Sequence, residues 1–254
     1  MKKAFVFPGQ GAQKVGMVKD LYESYAVVRE LFEEADDALG FSLTKLCFEG
    51  PDEELMKTYN TQPAILTAST ACCRVLEQEG VMPDIAAGHS LGEYSALVAA
   101  GALSFADAVR TVRLRGQFMQ EAVPLGEGSM AAIMGLAEDK IKDICAHISE
   151  QGGVVQAVNF NCPGQIVIAG STKAVETAVD ELKAAGAKRA VLLHVSAPFH
   201  STLMEPAAKR LAEVLDTITI SDAKIPVVAN VNGQIETAAA DIKASLVKQA
   251  ASPV

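Results

Sequence analysis

The chain alternates short apolar runs with longer stretches whose apolar positions recur at helical spacing. Lys3–Phe7 is a compact apolar run closed by the turn Pro8-Gly9-Gln10-Gly11, which predicts a buried strand. Helical spacing holds from about Leu21 to Leu39 and stops at Gly40, the residue type best suited to the left-handed position after a helix. Pro51 fits the first position of a short acidic helix, and a longer helix is predicted over Pro63–Glu79. Ile85–Gly88 predicts a strand and Leu91–Ala100 a helix directly behind it. Ser104 is placed to cap a further helix reaching about Val123.

The texture then changes. Strands are predicted over Ser129–Gly135, Val154–Phe160, Gln165–Ala169 and Arg189–Val195. Helices are predicted over Glu138–Glu150 and over Lys173–Ala185, the latter capped by Ser171. The order β-α-β-β-α-β is that of a ferredoxin-like unit, here residues 126–196. It reads as an insertion into a larger parallel α/β domain made of residues 1–125 and 197–254. That domain resumes with a helix near 200–215, a strand near Pro226–Val231 and a helix near 239–250.

Composition narrows the function classes. Half of the 254 residues are hydrophobic, enough to build a sizeable core. The net charge of −9 is local: residues 20–57 hold 11 acids and 3 bases, and the rest of the chain is nearly neutral. Without a basic excess, nucleic-acid binding is not expected. Five cysteines (Cys47, Cys72, Cys73, Cys145, Cys162) form no C-x-x-C pair, which argues for a reduced, cytoplasmic protein without structural zinc. Adjacent Cys72 and Cys73 are expected to act as small core residues. The apolar runs are too short for a signal peptide or a membrane span.

The chemistry concentrates at Gly88-His89-Ser90-Leu91-Gly92, a G-x-S-x-G sequence between a predicted strand and a predicted helix. Either it is a nucleophile elbow presenting the Ser90 hydroxyl, or a glycine-rich turn with a capping serine. A serine nucleophile needs a base. Among the four histidines, His89 is too close in sequence to turn back on Ser90, His147 lies on a polar-flanked helix, and His194 lies within a predicted strand. His200 follows a strand, in the loop where open α/β sheets place catalytic groups. Asp216, Asp222 and Asp241 are in triad order, but none has a distinctive setting, and a backbone carbonyl is the alternative orienting group. Oxyanion donors are expected from the Leu91 N–H and from the turn Gly9-Gln10-Gly11. On the helix after Ser104, Arg115 shares one stripe with Ala108, Val112, Met119 and Ala122. A buried guanidinium calls for an anion, from either an internal carboxylate or a substrate. Gly116 beside it suggests close packing, while Arg110 and Arg113 read as exposed charges.

Six segments in register resemble the malonyl-CoA:acyl-carrier-protein transacylases and the related acyltransferase domains of fatty-acid and polyketide synthases. They are Phe7-Pro8-Gly9-Gln10-Gly11, Thr61-Gln62-Pro63-Ala64, Gly88-His89-Ser90-Leu91-Gly92-Glu93-Tyr94, Arg115-Gly116-Gln117-Phe118-Met119, Asn159-Phe160-Asn161-Cys162-Pro163-Gly164-Gln165 and Pro198-Phe199-His200-Ser201. The resemblance implies an α/β fold with a large α/β-hydrolase-like domain, and a malonyl transfer from CoA to the phosphopantetheine thiol of acyl carrier protein by way of a Ser90 ester. It implies His200 as base, the Gln249 carbonyl as its orienting group, and the N–H groups of Gln10 and Leu91 as oxyanion donors. It implies Arg115 as the malonyl carboxylate site, with Gln10, His89, Leu91, Asn161 and Phe199 also lining the substrate. No cofactor or metal is required, and a monomer is expected. The family's chains continue past Ser252-Pro253-Val254, so a truncated C-terminus is expected. A serine thioesterase or esterase, and a carrier-binding module inactivated by truncation, are the alternative readings.

Overall fold

A computed structural model describes residues 2–193, 195 and 197–254. From the N-terminus run β1 (Ala4–Phe7), α1 (Lys19–Ser24), α2 (Ala26–Leu39), α3 (Leu43–Glu49), α4 (Asp52–Leu55), α5 (Thr58–Gln78), β2 (Ile85–Gly88), α6 (Leu91–Ala99) and α7 (Phe105–Glu121). Next come β3 (Gly128–Met134), α8 (Glu138–Glu150), β4 (Val155–Cys162), β5 (Gln165–Ser171), α9 (Thr172–Ala184) and β6 (Arg189–Leu192). A 3₁₀ turn (Thr202–Met204) leads into α10 (Glu205–Thr217), β7 (Val227–Val228), β8 (Ile235–Glu236) and α11 (Ala239–Gln249). The protein is a mixed α/β chain whose first sheet contains parallel strands. It forms two compact units, Met1–Gln117 with Leu211–Val247 and Phe118–Arg210 with Lys248–Val254. The segment 126–196 lies inside the second unit.

In the first unit the sheet order is β1-β2-β7-β8, parallel across the first three strands and antiparallel at β8. β1 is not the buried strand that its apolar run predicts: it ends the sheet order, and Val6 is 75% exposed while Phe7 is buried. The expected helix over 21–39 is two helices, because Tyr25 takes an extended conformation between α1 and α2. The rings of Tyr22, Phe32 and Phe48 then close on one another, edge-on or tilted, and tie α1, α2 and α3 together. Gly40 caps α2 in the left-handed region as expected (φ 72°).

The structure also corrects the start of α5. Pro51 is the N-cap of α4 rather than its first residue, and Pro63 stands inside α5, five residues beyond its start at Thr58. An interior proline leaves the carbonyl four residues back without its helical donor. Here that carbonyl belongs to Tyr59, and Arg113 Nη1 donates to it at 2.8 Å. Arg113 also donates to Asn60 Oδ1 and lies over the rings of Phe41 and Tyr59. It is half-buried and structural, not the exposed charge expected, whereas Arg110 is exposed and pairs with Asp107.

In the second unit the strand order is β4-β5-β3-β6, all antiparallel, with α8 and α9 supplying the other layer. Ile133, Ile141, Ile166, Ile168, Val175 and Leu182 fill the space between sheet and helices. The Val254 N–H donates to the Val158 carbonyl, and the Phe160 N–H to the Val254 carbonyl, so the chain end runs along β4. Ser171 precedes α9, but its hydroxyl bonds Val154 instead of capping the helix. His194, expected within a strand, lies outside the described residues; β6 ends at Leu192.

All five cysteines are free thiols, and Cys47, Cys73 and Cys145 are buried. Cys72 is exposed, correcting its expected core role: adjacent helical positions point about 100° apart, so Cys73 faces the core and Cys72 does not. Among the described residues no group of acids, histidines and cysteines is arranged to hold a metal ion, and no helix is long and apolar enough to cross a membrane.

Candidate active site

Ser90 sits between β2 and α6 with φ 52° and ψ −105°, a left-handed φ that a side-chain-bearing residue seldom adopts. The turn is tight enough to exclude side chains on both flanks. A Cβ on Gly88 would lie 1.9 Å from the Gly92 carbonyl carbon, and one on Gly92 would lie 2.3 Å from the Phe7 carbonyl oxygen. These contacts give the segment the tight strand-to-helix turn that the G-x-S-x-G pattern predicts. Leu91 opens α6 directly after Ser90 and is buried, placing its N–H at the positive end of that helix.

Two further observations locate the predicted oxyanion turn. Gly9 packs on the elbow so closely that a Cβ there would lie 2.6 Å from the His89 carbonyl oxygen. Gln10, next in the chain, is exposed, and its Nε2 donates to Thr58 Oγ1 at 3.3 Å. His89 is itself exposed; its N–H donates to the Phe7 carbonyl, which joins the ends of β1 and β2.

Arg115 is 2% exposed on α7, with Ala108, Val112 and Met119 of its stripe buried as expected and Ala122 half-buried. Gly116 lets α7 approach α5, since a Cβ there would lie 2.6 Å from Tyr59 Cα. One arm of the guanidinium, Nη1, donates to Gln62 Oε1 at 2.8 Å, and the other, Nη2, donates to Ser90 Oγ at 3.1 Å. The Tyr94 ring lies 5.6 Å from its central carbon. Burial pushes the Arg115 pKa down, while the nearby Tyr94 and Glu93 oppose that shift. Both of these acceptor oxygens are neutral, and the cation is aimed at the serine hydroxyl.

Sequence reasoning assigns no role to three residues at this site. Gln62 and the buried Glu93 enter only as parts of family segments, and Asn230 falls inside a predicted strand. β7 ends at Val228, and Asn230 lies in the turn to β8. Its Oδ1 accepts from the Ser90 N–H at 2.6 Å, its Nδ2 donates to the Gly88 carbonyl at 2.6 Å, and its own N–H donates to Glu93 Oε2 at 3.3 Å. The available signal is an asparagine just past the carboxyl end of a strand parallel to β2, where α/β sheets gather functional groups.

In the second unit, His200 is buried in the loop before the 3₁₀ turn and has φ 64°. Its Nδ1 lies 2.9 Å from the Gln249 carbonyl oxygen. A carbonyl only accepts, so Nδ1 carries the proton and Nε2 is left as the basic nitrogen. Gln249 is fully buried at the end of α11. The loop is held by Ser201 Oγ donating to the Pro198 carbonyl and by the Thr202 N–H donating to Gln156 Oε1, both at 2.7 Å. Phe199 is buried beside His200, and Asn161 is exposed near the end of β4. His147 is exposed against Gln151, as expected. Asp216 pairs with Lys243 and Asp222 caps Ala239, so both acids serve local structure.

A separate cavity of about 590 Å³ runs along β1, lined by Val6, Phe7, Ile65, Cys72 and Leu76 among others. It is apolar and holds none of the predicted site side chains, so the polar cluster at Ser90 is the better candidate for chemistry.

Comparison with known proteins gives a consistent result. A malonyl CoA-acyl carrier protein transacylase of Bacillus subtilis is 56% identical over 253 residues, spanning 100% of this chain and 80% of that protein. The solved malonyl CoA-acyl carrier protein transacylase of Coxiella burnetii superposes with a TM-score of 0.98 at 47% identity, covering 100% of this chain and 80% of its own. A malonyl-transacylase solved in complex with its type II polyketide acyl-carrier protein superposes at 0.97 with 52% identity, covering 100% and 82%. The family model described as the acyl transferase domain matches residues 4–253, and with these relatives it shows that the chain belongs to the acyl transferase domain family.

Proposed function

We propose that this chain is an acyltransferase that moves a malonyl group from CoA to the phosphopantetheine thiol of acyl carrier protein, in fatty-acid biosynthesis. The observation that carries the reading is Arg115: a buried cation whose Nη2 lies 3.1 Å from the Ser90 hydroxyl and whose other arm is steadied by Gln62. A malonyl group whose thioester carbon is at Ser90 has its free carboxylate two carbons away, within reach of that guanidinium. An arginine fork suits a carboxylate because both oxygens can accept at once.

In the first half-reaction the Ser90 oxygen bonds to the malonyl carbonyl carbon as its proton passes to His200. The tetrahedral oxyanion is received by the N–H groups of Leu91 and Gln10. Collapse breaks the carbon–sulfur bond, and the proton held by His200 leaves with CoA as its thiol. The second half-reaction runs the same steps in reverse with the carrier thiol as nucleophile. The hydrogen bond to the Gln249 carbonyl supports His200 as base, because it fixes the tautomer and steadies the imidazolium that forms. The pairing of Ser90 with His200, and the assignment of His89, Asn161 and Phe199 to the substrate, rest on the family resemblance. Thioester exchange of this kind needs no cofactor.

The same reading divides the fold into a large α/β-hydrolase-like domain (1–125 and 197–254) and a ferredoxin-like subdomain (126–196). The order β4-β5-β3-β6 with α8 and α9 supports the latter. A cytoplasmic location accords with five free thiols, which a reducing compartment preserves.

Intact mass after incubation with malonyl-CoA tests the proposal. A malonyl adduct is expected on the chain, absent in Ser90→Ala, weakened in Arg115→Ala, and lost on adding carrier thiol. CoA release without an adduct would support a hydrolase instead, and a folded chain that takes no adduct would support an inactive carrier-binding module.

A further inference from the structure

We propose that Asn230 is a positioning residue for Ser90, holding the strained elbow in its reactive shape; the inference rests on the reading of Ser90 as the nucleophile. The Ser90 backbone has a left-handed φ, a strained conformation that persists only where neighbours hold it. Asn230 meets that need from 140 residues away in the chain. Its planar amide carries an acceptor and a donor side by side. The acceptor takes the Ser90 N–H and the donor reaches the Gly88 carbonyl, both at 2.6 Å, so one side chain staples the two ends of the turn. The staple is itself anchored. The Ala229 N–H donates to the Gln234 carbonyl and the Gly233 N–H to the Ala229 carbonyl, closing the turn that carries Asn230. The Asn230 N–H donates to the carboxylate of Glu93, a 3%-exposed residue of the first turn of α6.

Two consequences follow for the chemistry. The Ser90 N–H is engaged by Asn230, so it is not an oxyanion donor and that task falls to Leu91 and the Gln10 turn. The staple also sets where the Ser90 hydroxyl points relative to Arg115 Nη2, because rotation of Ser90 toward a relaxed φ would turn its side chain away. Asn230 touches no reacting atom; it acts through the Ser90 backbone.

Asparagine is matched in shape by protonated aspartic acid, which can accept from the Ser90 N–H and donate to the Gly88 carbonyl. Ionised aspartate can only accept, and it would face that carbonyl unpaired. Asn230→Ala is expected to slow malonylation of Ser90 by about 10- to 100-fold with little change in half-saturating malonyl-CoA. Asn230→Asp is expected to recover toward the wild-type rate at the same pH as pH falls from about 8 to about 5, as the carboxyl is protonated. Amide hydrogen exchange at Ser90, which needs no substrate, is expected to accelerate in Asn230→Ala. Unchanged Ser90 exchange together with acylation within twofold of wild type would overturn the inference. A variant-to-wild-type ratio that stays flat with pH while the melting temperature drops would reduce Asn230 to a stability role. If the wild type itself takes no malonyl group, the Ser90 reading fails, and the exchange measurement still decides whether Asn230 holds the turn.

Discussion

In the proposed transfer, the guanidinium buried beside the Ser90 hydroxyl does two things at once: it selects an acyl group that carries a free carboxylate, and it fixes that group's far end. Charge-assisted hydrogen bonds of this kind contribute about 1.5–3 kcal/mol each, or roughly 10- to 100-fold in rate. Arg115→Ala is therefore expected to lower kcat/KM for malonyl-CoA by at least that factor while leaving acetyl-CoA turnover near its wild-type level. Arg115→Lys should fall between, since an ammonium can meet the carboxylate but cannot make the two-pronged contact and hold Gln62 as well. Steady-state rates with both thioesters measure this, and equal losses for malonyl- and acetyl-CoA would remove Arg115 from acyl selection. At this scale the residues legible in the sequence are those tied to a local backbone shape, Ser90 between its glycines and His200 past a strand. Arg115 is legible as an anomaly, a cation on an apolar stripe. Gln62 and Asn230 are not, because their partners lie 53 and 140 residues away and no local pattern announces them.

Elements here are shaped by contacts that secondary-structure signals do not carry. Proline is a start or stop signal in sequence, and Pro63 marks the predicted start of a helix that in fact begins at Thr58. The helix continues through it because α7 supplies, in Arg113, the donor that Pro63 lacks. This makes a prediction at the level of two packed helices. Arg113→Ala should destabilise the protein by about 1–3 kcal/mol, by stranding the Tyr59 carbonyl and the Asn60 side chain. In a Pro63→Ala background, the backbone N–H restored at position 63 can donate to the Tyr59 carbonyl, so the same arginine change should cost less. Urea unfolding of the two single variants and the double variant yields the coupling directly, and strict additivity would show that Arg113 does not stand in for the missing helical bond. The strand β1 teaches the complementary lesson: its apolar run reads correctly as a strand, but burial depends on what lies beside a strand, and β1 ends its sheet.

On the scale of the whole molecule, alternation and period are enough to foresee an α/β chain with a β-α-β-β-α-β segment. The extent of each compact unit is harder to foresee, because the second unit also takes in the His200 loop and the chain end along β4, which local pattern does not link to 126–196. The buried thiols give both units a common response to alkali. Burial pushes Cys47 and Cys145 up from an ordinary 9.0 to about 12, with Asp36 adding to the shift at Cys47. In the unfolded chain these thiols ionise as pH passes 9, whereas in the folded chain they hold their protons to about 12. Between those values the unfolded state binds fewer protons than the folded one, so stability falls as pH rises; below pH 9 the thiols contribute no slope. The steepest loss is about 1.4 kcal/mol per pH unit for a fully buried thiol. Other groups titrate in the same range, so the informative quantity is a difference. Cys47→Ala and Cys145→Ala should each be less stable than wild type at neutral pH, because each leaves a small cavity. That deficit should shrink as urea unfolding is repeated from about pH 8 to about pH 10.5. A deficit that stays constant across the range would mean that these thiols ionise alike in both states, and that solvent reaches them in the folded protein.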